Sequence, residues 1–143
     1  MVSVAISSGN LTGATTATAV SGVATFSGLG KNGTVGSKTI TFSSGVLATD
    51  SQTFVLTYGA IYKLDIAAPS SAASGTILST QPVVTIQDQD GNTVTSAVDN
   101  ITLTSPDSTI AGTTSMAAVA GVADFLGKNI KLSGTSGTKS LVA

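Results

Sequence analysis

Along most of the chain, apolar residues recur at every second position. Val2, Val4 and Ile6 alternate with small or polar residues, Ile40 and Phe42 with Thr39 and Thr41, and Phe54, Leu56 and Tyr58 with Thr53, Val55 and Thr57. The pattern returns in Tyr62, Leu64 and Ile66 against Lys63 and Asp65, in Val84 and Ile86 against Thr85 and Gln87, and again in Ile101 and Leu103. A period of two sends alternate side chains to opposite faces of an extended chain, so each segment predicts a half-buried strand. Thr and Val, which recur throughout, suit such a pleated surface. No long window carries a helical stripe. The Ala-rich stretch from Ser115 to Ala123 is the one place where a helix competes, and Gly121 interrupts it. Its relative earlier in the chain is Thr-rich, so both are expected to be hairpins.

Turn signals divide these strands at short intervals: Ser8-Gly9-Asn10, Ser21-Gly22, Lys31-Asn32-Gly33, Ser44-Gly45, Asp90-Gly91-Asn92, Gly121 and Ser136-Gly137. Gly and Asn accept the positive φ that tight hairpins need. Many short strands at close spacing indicate a sandwich or a barrel, and the fold class expected is all-β.

An internal repeat organises the chain. Ala19-Val20-Ser21-Gly22-Val23-Ala24-Thr25-Phe26 matches Ala118-Val119-Ala120-Gly121-Val122-Ala123-Asp124-Phe125 at an offset of 99 residues. The same offset aligns Val2-Ser3-Val4 with Ile101-Thr102-Leu103 and Gly13-Ala14-Thr15-Thr16 with Gly112-Thr113-Thr114-Ser115. Gly36-Ser37-Lys38 matches Gly137-Thr138-Lys139 at 101, which implies a small insertion. A unit of roughly 100 residues has the size of an immunoglobulin-like sandwich. The unit does not fit the chain a whole number of times. The first copy lacks counterparts of Tyr62 to Asn100, the second lacks a counterpart of Thr53 to Tyr58, and the junction falls near Gly59-Ala60. The expected organisation is two partial tandem modules: residues 1–60 as the C-terminal part of one Ig-like repeat, and residues 61–143 as the N-terminal part of the next, lacking its last strand.

The segment Val83-Val84-Thr85-Ile86-Gln87-Asp88-Gln89-Asp90-Gly91-Asn92-Thr93-Val94 resembles the strand-turn-strand near the start of bacterial Ig-like repeat domains of the invasin/intimin type. There an alternating strand ends in an Asp, a Gly-Asn turn follows and a Val resumes. The Gly-Val-Ala-Asp/Thr-Phe segments at 22–26 and 121–125 look like the G-x-A-x-F strand of that family. The resemblance covers nearly all of the chain through loose motifs. It implies a β-sandwich in a tandem array on a large secreted or surface-anchored bacterial protein, an adhesin or a surface layer, and it brings no catalytic residues.

Composition narrows the chemistry. The sequence has no His, Cys, Trp, Arg or Glu; its acids are seven Asp and its bases six Lys. Without His there is no Ser-His-Asp triad, and the commonest metal ligand is absent. Without Cys there is no thiol nucleophile, thiolate zinc site or disulfide. Without Arg there is no bidentate phosphate clamp. An enzyme is therefore not expected. Only 9% of residues are charged and the net charge is -1, so neither nucleic acid nor a membrane surface is expected as a partner. The apolar residues are mostly Ala and Val scattered among 20 Ser and 23 Thr, and none of their runs reaches the length of a membrane span. A cysteine-free, Thr/Ser-rich chain suits an exported bacterial protein at the cell surface. Met1 to Ile6 lacks both the charged start and the apolar stretch of a signal peptide, so if the protein is exported, the expectation is a removed signal or an excerpt of a longer chain.

The candidate sites are few. Asp88, Asp90 and Asn92 form a D-x-D-x-N run that offers oxygens to calcium, with Asp65, Asp99 or Asp107 available if the fold brings them close. No Glu exists to close an EF-hand loop, and the competing reading is a hairpin turn with solvated Asp side chains. Lys63 invites comparison with sandwiches that cross-link Lys to Asn, against an ordinary exposed Lys beside Asp65. Asn10, Asn32 and Asn100 each begin an N-glycosylation triplet, a pattern that also arises by chance in a Thr-rich chain. Tyr58 and Tyr62 flank the junction, as packing residues or as a sugar platform. The partners expected are neighbouring copies of the chain or adjacent repeats, and a surface glycan or protein ligand. The function expected is structural or adhesive, with self-assembly by strand complementation into a filament or coat as its sharper form. The rival readings are a glycan- or protein-binding module and a phage or virus surface decoration.

Overall fold

A computed structural model describes residues 1–68 and 71–143. The alternating segments become short strands, all paired antiparallel, and there is no helix among the described residues. The chain divides into two units, Met1–Tyr58 and Gly59–Ala143.

The first unit contains β1 (Val2–Ile6), β2 (Asn10–Thr12), β3 (Thr16–Ala17), β4 (Gly30–Asn32), β5 (Gly36–Ser43) and β6 (Asp50–Leu56). Its main sheet has the order β3-β1-β5-β6, and β2 pairs with β4 as a separate ribbon. β5 is central, with Val4 opposite Phe42 on one side and Phe54 opposite Lys38 on the other. Cross-strand polar pairs line the outer surface, such as the Thr39 and Thr53 hydroxyls 3.2 Å apart.

The second unit contains β7 (Lys63–Ala67), β8 (Val83–Gln87), β9 (Asn100–Thr102), β10 (Thr109–Ala111), β11 (Ser115–Ala117), β12 (Val122–Asp124) and β13 (Lys131–Ser133). β8 lies between β12 and β7, β11 pairs with β9, and β10 with β13. The Ala-rich stretch is a hairpin. Ala120 and Gly121 both take positive φ, 50° and 77°, between Val119 and Val122, which exchange backbone hydrogen bonds. Two successive positive φ angles define the type I′ turn, whose twist matches that of paired strands.

Lys31-Asn32 departs from expectation. Both residues lie within β4, because pairing with β2 satisfies their backbone groups, and the positive φ falls on Gly33 alone. Tyr58, Tyr62 and Leu103 lie just outside the strands that their alternation predicted.

Residues 1–42 and 100–143 share one local geometry. Val2 pairs with Ala17 and Ser3 with Thr16; 99 positions on, Ile101 pairs with Met116 and Thr102 with Ser115. The Val4 amide donates to the Thr15 carbonyl, and the Leu103 amide to that of Thr114. The turn Val20–Val23 has positive φ at Ser21 (50°) and Gly22 (83°), like its counterpart at Ala120 and Gly121. The β2–β4 pairing of Leu11 with Lys31 returns as Ile110 with Leu132, so the partner strand is displaced by 101 and not 99. The two extra residues therefore lie between Gly127 and β13. Ala5 opposite Thr41 returns as Thr104 opposite Val142.

The core is divided very unequally. Val4 is the one large apolar residue of the first unit that is buried outright, whereas Leu78, Val84, Ile86, Val94, Ala97, Ile101, Leu103, Ala118, Ala123, Phe125 and Ile130 are buried in the second. Strand β8 accounts for much of this, because the buried Val84 stands opposite the buried Ala123 in the β8–β12 pair, and the Phe125 amide donates to the Pro82 carbonyl. In the first unit the positions equivalent to β12 pair with no strand among the described residues, and Ala24 and Phe26 are only half-buried. Phe26 packs instead against Phe42, with ring centroids 5.6 Å apart and planes tilted by 56°.

Candidate functional site

The Asp88 loop shows what the Asp-Gly-Asn run does locally. β8 ends at Gln87, and the chain turns through Gly91, whose φ is 84°, before Val94 returns its amide to the Ile86 carbonyl. Asp88 closes that turn with its side chain. One carboxylate oxygen accepts the backbone N–H of Asn92 at 2.8 Å and of Asp90 at 3.0 Å; the other accepts the backbone N–H of Gly59 at 2.8 Å. The Asn92 side-chain amide donates to both, at 3.2 and 2.9 Å. Asp88 and Asn92 are buried, while Asp90 is exposed. The Gly59 N–H, then the Asn92 amide and the other backbone donors, hold the Asp88 carboxyl down at about 2 against an opposing effect of burial. The arrangement is a carboxylate surrounded by N–H donors, and it fastens the start of β7 to the β8 turn through Gly59.

A divalent cation needs the same oxygens that these donors use. Of the other acids named for such a site, Asp65 lies on β7 opposite Thr85 and points to solvent, and Asp99 is exposed. Asp107 is committed elsewhere: its two oxygens accept the Ser140 N–H at 3.0 and 3.1 Å, and its carboxyl is lowered chiefly by that bond. Among the described residues no group of three or more His, Cys, Asp or Glu is placed to hold a metal ion. Lys63 is exposed opposite Gln87, on the same strand as Asp65. Asn10 and Asn32 stand opposite each other in the β2–β4 ribbon, and Asn100 donates to the Ser115 hydroxyl. Tyr62 is 67% exposed and its backbone N–H is held by the Gln87 carbonyl.

A concavity lies in the second unit. It encloses about 740 Å³ between the segments 71–74 and 132–139, with Leu78, Leu132 and Leu141 supplying apolar walls and Lys139 a cation. This groove was not foreseen from the sequence, although the Gly137-Thr138-Lys139 match to Gly36-Ser37-Lys38 lies along its rim. The alignment equates residues and is silent about which of them lack a neighbouring strand. Comparison with known protein families, with characterised proteins and with solved structures gives no match.

Proposed function

We propose that this chain is part of a tandem array of Ig-like β-sandwich repeats, acting as a structural or adhesive component at a bacterial cell surface, in which repeats are completed by the strands of neighbouring repeats. One observation carries the reading: the same hairpin, register and turn dihedrals recur 99 positions apart, while the strands covering them differ between the two units. A segment that folds the same way twice, under different cover, is a module whose surroundings are interchangeable. The absence of His, Cys, Arg and Glu from the sequence agrees with a role resting on shape and not on reactive groups.

A ligand-binding reading has one observation in its favour. The β5–β6 turn holds Val46 and Leu47 in solvent, 104% and 68% exposed, an apolar tip of the kind that enters a protein pocket.

Light scattering across a wide concentration range, with calcium and with chelator, tests the proposal. Growth into large regular species is the expected result. A monomer at every concentration, together with saturable binding to one member of a glycan or surface-protein panel through the 44–47 turn, overturns it in favour of the ligand-binding module.

A further inference from the structure

We infer that the groove of the second unit is an acceptor for one strand, of the β6 type, donated by a further copy of this repeat. The inference rests on the repeat-array reading above and names the segment and the surface through which completion occurs.

The first unit shows the occupied form. There β5 is paired on both edges, and Gly36, Lys38 and Ile40 stand opposite Leu56, Phe54 and Gln52. Residues directly opposite in an antiparallel pair project from the same face. Phe54 and Leu56 are half-buried while Thr53 and Val55 point to solvent, so β6 extends that face beside β5 with its apolar side. On that face Lys38, opposite Phe54, is 6% exposed, its ammonium donating to the Ser8 hydroxyl at 3.0 Å.

The second unit shows the same surface without its strand. The displacement of 101 carries Gly36, Lys38 and Ile40 onto Gly137, Lys139 and Leu141, and all three line the 740 Å³ groove. The inner edge of this segment is engaged: Val142 exchanges two backbone bonds with Thr104, and the Ser140 N–H is held by Asp107. The outer edge is not. The backbone N–H groups of Lys139 and Leu141, whose counterparts in β5 face β6, make no hydrogen bond among the described residues. Gly137 keeps a positive φ of 136°, comparable with 118° at Gly36, and at both glycines no atom lies within 4 Å of where a side chain would begin, so the two backbones match at this point.

An incoming strand gains main-chain bonds along such an edge and specificity from alternate side chains entering pockets. The register copied from the first unit places its Phe54 over Lys139 and its Leu56 over Gly137. Asp50–Leu56 is itself held by β5, so the strand that fits this edge is a second one of the same type.

The test titrates a synthetic peptide of residues 48–58 into isotope-labelled chain and follows backbone amide shifts. Saturable shifts confined to 137–142 and to the groove wall at Leu78 and Leu132 are expected. A peptide carrying Phe54→Ala should bind roughly tenfold more weakly, as loss of a buried aromatic anchor does. On the acceptor side, Leu141→Pro, which removes an outer-edge N–H, should weaken binding roughly tenfold while the amide signals of Val84, Ile86 and Phe125 stay unshifted, which shows that the fold is retained. The peptide should also arrest any concentration-dependent growth of the chain alone. No saturable shift, shifts centred elsewhere, or equal binding of the Phe54→Ala peptide overturns the inference. If growth proceeds regardless of the peptide, the groove is not the acceptor and the array reading survives without it.

Discussion

Phe26 and Phe125 occupy the same point of the same hairpin, 99 positions apart, yet Phe125 is wholly enclosed and Phe26 is half-exposed beside Phe42. The sequence around them is nearly identical, so the difference lies in what is laid over each. Beside Phe125 runs the segment entering β8, whose Pro82 carbonyl accepts the Phe125 N–H, whereas among the described residues no strand pairs beside Phe26. Phe125→Ala should therefore cost about 3–5 kcal/mol, the usual range for deleting a fully buried aromatic ring. Phe26→Ala should cost well under half of that. Amide exchange resolved by residue separates the two, since the first substitution raises exchange across β8 and β12 and the second raises it only within the first unit.

The glycines of the two turns make a parallel comparison. A methyl group on Gly121 would lie 2.5 Å from the Val94 carbonyl oxygen, whereas one on Gly22 would meet nothing within 4 Å. Both have positive φ, so Ala at either carries the left-handed penalty of about 1–2 kcal/mol. Gly121→Ala adds an overpacking cost of about 1–3 kcal/mol. Denaturant midpoints of the two variants should differ in that order, and equal midpoints would mean that Val94 does not pack against the turn.

Ala120 sits at φ 50° with a side chain that disfavours it, in a turn whose first central position suits Gly or Asn. Ala120→Gly should stabilise the second unit by about 1 kcal/mol. Thermal unfolding would show this as a raised midpoint.

Acid should loosen the second unit first. The Asp88 carboxyl lies at about 2 in the folded chain against an ordinary 3.8, so the unfolded chain binds its proton more tightly than the folded one. The stability this group supplies is complete above about pH 4 and is lost as pH falls toward 2. Asp107, lowered by the Ser140 N–H, loses its contribution in the same direction. Equilibrium unfolding followed from pH 5 to pH 2 should show a steep acid limb, and Asp88→Asn should flatten it while leaving the part due to Asp107.

Calcium should leave the melting midpoint unchanged at millimolar concentration, because the Asp88 oxygens already accept five N–H contacts from Gly59, Asp90 and Asn92. A rise in the midpoint reversed by chelator would show that the loop rearranges to bind the ion.

Alternation alone located the strands at Val2–Ile6, Lys63–Ala67 and Val83–Gln87, because a period of two is a property of neighbouring residues and needs no tertiary information. The two hairpin turns were legible for the same reason: Ser21-Gly22 and Gly121 interrupt apolar runs, each with a glycine suited to reversal. The repeat at 99 was readable by matching letters, and the displacement to 101 hinted at the insertion before β13. The Asp88-Asp90-Asn92 run was visible as a cluster of oxygens, but its N–H donors were not, since Gly59 lies 29 residues away. The burial of Phe125 over Phe26, the concentration of the core in the second unit, and the groove along Gly137, Lys139 and Leu141 were decided only by the tertiary structure. Each depends on which distant strand lies over a given face. Local sequence specifies that a strand has an apolar side, but non-local pairing selects what covers it.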